Sequence, residues 1–79
     1  MNAIEPLHAI VMNKFTALMG EEKATALYAD VLRESALSAI VHPGDLLAVA
    51  EVLLRRRGVL AAVGRSLKIQ AIFLGAGAD

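Results

Sequence analysis

The run from His42 to Gly58, HPGDLLAVAEVLLRRRG, constrains the fold more than any other stretch, because its start, body and stop can all be read. Pro43 fits the first helical position, where a missing N–H costs nothing, and Asp45 then falls in the first turn against the positive end of the helix dipole. Arg55, Arg56 and Arg57 stand where a last turn favours positive charge, and Gly58 follows as a residue able to turn left-handed and end the helix. Between these ends Leu46, Val49, Ala50 and Leu53 recur at helical spacing, with Leu47 and Leu54 one position round from them. Glu51 is the only charge inside that body, placed to meet Arg55 one turn later. A helix this apolar has to be covered over most of its circumference, by the rest of the chain or by another copy of it.

The same spacing predicts three more helices. Ile4, Leu7, Val11, Phe15 and Leu18 step by three and four, so a first helix runs from near Glu5, with Pro6 in its first turn, to a stop at Gly20. Glu21 and Glu22 open a second, patterned by Ala24, Leu27, Tyr28, Val31, Leu32 and Ser35 to about Leu37, with Lys23, Asp30, Arg33 and Glu34 on a solvated face. Ile40 and Val41, just before His42-Pro43, are pushed out of helical geometry and form an apolar linker packed inward. After Gly58 a fourth helix places Leu60, Val63, Leu67, Ala71 and Leu74 on one row and Ile69, Ile72 and Phe73 on its other faces. Gly64 interrupts it and marks either a close helix crossing or a break.

Short connections favour antiparallel packing of sequence neighbours. The sequence therefore predicts an all-α fold, a compact antiparallel helical bundle of four helices, or five if Gly64 breaks the last. It is one domain over residues 1–79, with a flexible tail at 75–79.

Burial is the difficulty for such a chain. With 79 residues it hides only about 60% of the surface its unfolded form exposes. Yet 57% of its residues are hydrophobic, against about 45–50% in ordinary domains even with glycine counted. Part of the excess is alanine, which adds helix propensity more than core. The rest favours completion of the bundle by dimerisation, and the expected buried contacts between chains are Ile10 and Met12 from the first helix with Leu67, Ala71, Ile72, Phe73 and Leu74 from the last.

Charge and composition exclude much else. Eight basic and eight acidic residues give a formal net charge of zero, so the total favours neither nucleic acid nor an acidic partner, and little repulsion keeps copies apart. Without cysteine there is neither a disulfide framework nor a thiolate metal site. The uncharged runs, Ala36 to Pro43 and Ile69 to Ala78 among them, are short of the roughly 18–20 apolar residues of a membrane span. Glu5 stands where a signal peptide would carry positive charge. These features read as a cytoplasmic protein, and the alanine, leucine and arginine bias suggests a GC-rich bacterial gene.

Catalytic and metal chemistry find little footing. His8 and His42 lie on different segments with no carboxylate at ligand spacing, so no metal and no cofactor is expected. Ser35, Ser38 or Ser66 could be combined with a histidine and Asp45 only by a geometry that sequence does not supply. Gly58 and Gly64 lack the strand and the lysine ending of a phosphate loop. The expected function is that of a small non-catalytic protein that homo-oligomerises and acts as a protein–protein interaction or regulatory module. The alternative is a nucleic-acid-binding regulator using Arg55, Arg56 and Arg57 with Arg65 and Lys68, and against it stand the zero net charge and the apolar LKIQAIFLG that a reading helix would show to the groove. An apolar ligand in the bundle core is a third reading.

Overall fold

Three short connections divide the chain into four helices, and the computed structural model describes residues 6–76. Helix α1 spans Leu7–Met19, α2 Glu21–Glu34, α3 Pro43–Leu54 and α4 Val59–Phe73. There is no strand among the described residues. Ile4 and Glu5 of the expected first helix lie outside the described residues, as do 77–79 of the expected tail.

Gly20 alone joins α1 to α2. At φ 85° and ψ 166° it leaves helical geometry for one residue, donates its N–H to the Thr16 carbonyl at 2.9 Å and accepts from Ala24 N–H at 2.9 Å. A side chain at that φ would be strained, so glycine permits the sharp turn. Glu21 and Glu22 then occupy the first turn of α2, where negative charge suits the dipole.

Two helix ends differ from the sequence expectation. α2 stops at Glu34 rather than near Leu37, because Ala36 adopts a left-handed conformation with φ 58°. Ala36 N–H donates to Arg33 at 3.1 Å and Leu37 N–H to Leu32 at 2.9 Å, the paired bonds of a Schellman cap. α3 stops at Leu54, so Arg55, Arg56 and Arg57 do not form its last turn but lead into α4, and Gly58 caps the start of α4 rather than the end of α3. The linker is half as expected: Ile40 is buried, but Val41 points into solvent.

The helices pack chiefly as two sequence-neighbour pairs, α1 with α2 and α3 with α4, which meet where α3 packs on α2 and on α1. Val11 and Phe15 from α1, Leu27 and Val31 from α2, Leu46, Val49 and Leu53 from α3, and Leu67 from α4 make the core. The radius of gyration, 11.8 Å, matches the roughly 12 Å of a compact chain of this length.

Gly64 does not break α4; it lets α4 lie against α3. A Cβ there would stand 2.9 Å from the Leu54 amide nitrogen, 3.0 Å from the Ala50 carbonyl oxygen and 3.0 Å from the Leu53 Cβ. The α3/α4 pair is therefore closely packed, and α4 has its outer side left over. At its end Gly75 N–H donates to Ile72 at 3.0 Å and Ala76 N–H to Ala71 at 2.9 Å, with Ala76 buried. Gly75 and Ala76 thus close the helix.

Candidate interaction surface on α4

Two faces of α4 are apolar, and among the described residues only one of them packs into the core. Gly64, Leu67 and Ala71, fully or nearly buried, face α3 with Leu60 half-buried beside them. On the opposite side Val59, Ala62, Ser66, Ile69 and Phe73 are all exposed. Their spacing alternates three and four, so they form one straight seam along the helix, of the kind that packs against another helix. Phe73 is 85% exposed, Ile69 57% and Val59 56%, with Ile72 beside the seam at 55%. A solvent-facing helix side ordinarily carries charge. Here Arg65 supplies the only one.

The expected inter-chain residues divide accordingly. Ile72, Phe73 and Leu74 are exposed, Phe73 most of all. Leu67 and Ala71 are not available to a second copy, because both are fully buried in the chain's own core. Ile10 and Met12 are half-buried against that core on α1, whose neighbours are α2 and α3, so they do not extend the α4 face. Sequence reasoning missed Val59, Ala62, Ser66 and Ile69 as members of one seam. The signal was present in their three-and-four spacing.

The basic residues are scattered by their partners. Arg56 pairs with Glu34 at 2.6 Å, tying the α3–α4 turn to the end of α2. Lys68 pairs with Glu51 at 3.2 Å, so Glu51 meets α4 rather than Arg55. Each partner is substantially exposed, and such pairs contribute at most about 1 kcal/mol. Among the described residues Arg55, Arg57 and Arg65 make no ion pair, while Asp30 pairs with Arg33.

The remaining candidate groups serve the backbone. The Asp45 carboxylate accepts from His42 N–H and from Val41 N–H, each at 3.0 Å. Those two bonds, His42 first, hold its carboxyl below the usual carboxylate range. His42 is thus the residue that opens α3, with its ring exposed, and His8 is exposed on α1. Ser35 donates its hydroxyl to the Val31 carbonyl at 2.7 Å, and Ser38 and Ser66 are exposed. Burial pushes the Tyr28 phenol up. Among the described residues no group of three histidines or acids could hold a metal, no polar side-chain atom is buried without a partner, and no helix is long and apolar enough to cross a membrane. An open groove of about 560 Å³ lies between α1 and the start of α2, lined by Met12, Asn13, Thr16, Glu21, Glu22 and Thr25.

What fold and surface define together, among the described residues, is four helices around a shared core with an apolar face of α4 exposed. No known protein family, curated protein or solved structure matches it.

Proposed function

We propose that this chain is a non-catalytic helical module that self-associates through the outer face of α4 and acts by protein–protein interaction. The observation that carries the reading is the exposed seam from Val59 to Phe73 on a helix whose opposite face already fills the core. With Ile72, the seam leaves on the order of 500 Å² of apolar side chain in water, a patch of the size that marks interaction sites. Two such faces brought together bury at most about 1,000 Å², the area at which specific interfaces begin. A dimer that forms and dissociates with concentration follows. The formal net charge of zero removes long-range repulsion between copies.

The test is light scattering on a sizing column across concentration at low and high salt. A dimer held by the seam persists at high salt, since its contacts are apolar. Phe73→Glu is expected to give a folded monomer at every concentration, because Phe73 is 85% exposed and its removal leaves the core intact. A variant that dimerises like the parent, or a parent that is monomeric throughout, defeats the reading. If nucleic acid were instead held by Arg55, Arg57 and Arg65, its binding would fall steeply with salt and survive Phe73→Glu.

A further inference from the structure

The seam on α4 is uneven, and its unevenness selects one way for two copies to meet. After Val59 at its start, the seam carries small side chains, Ala62 and Ser66, and then large ones, Ile69 and Phe73, all exposed; in the register below Val59 falls opposite position 76, past the end of α4. In a parallel pair Phe73 would meet Phe73 and Ala62 would meet Ala62, so the helices would splay at one end and leave a gap at the other. Turned antiparallel, with the two-fold axis between Leu67 and Lys68, each large side chain falls opposite a small one: Phe73 on Ala62 of the second copy, and Ile69 on its Ser66. Facing positions that alternate large and small fill space without strain. The antiparallel pair also sets the two helix dipoles head to tail and brings Arg65 alongside Ile72 of the second copy, near the negative end of a helix that has no basic residue in its own last turn.

We infer that the partner of this face is a second copy of the chain, bound antiparallel with Phe73 of each copy seated on Ala62 of the other. The inference rests on the self-association proposed above and adds its direction and register.

The chain has no cysteine, so single thiols report on it cleanly. Ala62→Cys and Phe73→Cys chains, oxidised as an equal mixture, are expected to give the mixed disulfide and little of either symmetric one. In this register the two copies of residue 62 stand at least about 16 Å apart, from eleven residues of helical rise. Symmetric disulfides at 62 and at 73 would show a parallel pair and overturn the inference. Because Phe73→Cys trims the largest contact, a size swap gives an independent reading. Ala62→Phe and Phe73→Ala are each expected to weaken dimerisation at least about tenfold, and the doubly substituted chain to return to within about tenfold of the parent. Additive losses would overturn the register while leaving self-association standing. A parent chain that stays monomeric in light scattering removes the self-association itself.

Discussion

Ala36 sits at φ 58°, the one non-glycine residue with positive φ among the described residues. The Schellman cap that ends α2 demands that geometry, and the left-handed region costs an L-residue roughly 1–2 kcal/mol. Glycine there removes the clash but returns about 0.4–1 kcal/mol through a freer unfolded chain. Ala36→Gly is therefore expected to stabilise the protein by about 0.5–1 kcal/mol, seen as a higher urea midpoint with an unchanged slope. Asp45 makes a second prediction at this scale. Its folded-state pKa is lowered by the His42 and Val41 backbone bonds, so the stability it contributes is fully present above the unfolded-state pKa and is lost as pH falls through the folded value. Asp45→Asn keeps an oxygen to accept one N–H but cannot titrate. Denaturant midpoints measured from neutral to acid pH should then fall less steeply in Asp45→Asn than in the parent, and parallel curves would refute the assignment.

α3 and α4 approach so closely that position 64 tolerates only hydrogen. The atoms a Cβ would meet include backbone of α3 at 2.9 and 3.0 Å, which cannot swing aside as a side-chain tip could. Alanine ordinarily gains helix propensity over glycine. Here overpacking outweighs that gain, and Gly64→Ala is expected to destabilise by about 1–3 kcal/mol, measured by chemical denaturation. The sequence left Gly64 open between crossing and break, since a glycine's effect on its own helix is local whereas a crossing depends on the facing helix. Helix starts were legible because Glu21, Glu22, Pro43 and Asp45 act through neighbouring backbone. The ends of α2 and α3 were not, because Ala36 carries no compositional sign of a left-handed residue and the arginines suit a helix end and a turn alike. The candidate surface was half legible for a related reason. Periodicity resolves the faces of α4, but both are apolar, and only the packing of α3 on Leu67 and Ala71 decides which of them is the core.

At the scale of the whole molecule, α4 lies at the edge: it packs on α3, while α1 and α2 cover the other side of the fold. Among the described residues no other helix packs over the seam. The consequence is thermodynamic as well as structural. Anything that binds the folded chain and not the unfolded one raises its apparent stability, and the second copy proposed above would be such a ligand. For a dimer that unfolds to two chains, each tenfold rise in concentration above the dissociation constant adds about 0.7 kcal/mol per chain, half of the 1.4 kcal/mol that a factor of ten represents. At about 4–8 °C per kcal/mol for a domain of this size, Tm should climb by about 3–5 °C per decade. The same series on Phe73→Glu should be flat, with a Tm close to that of the parent at high dilution, because the substituted side chain stands in solvent in the free chain. Scanning calorimetry across two decades of concentration separates the cases. A rising parent and a level variant place the association energy on the outer face of α4, whereas two level curves would mean that the chain's stability is complete within one copy.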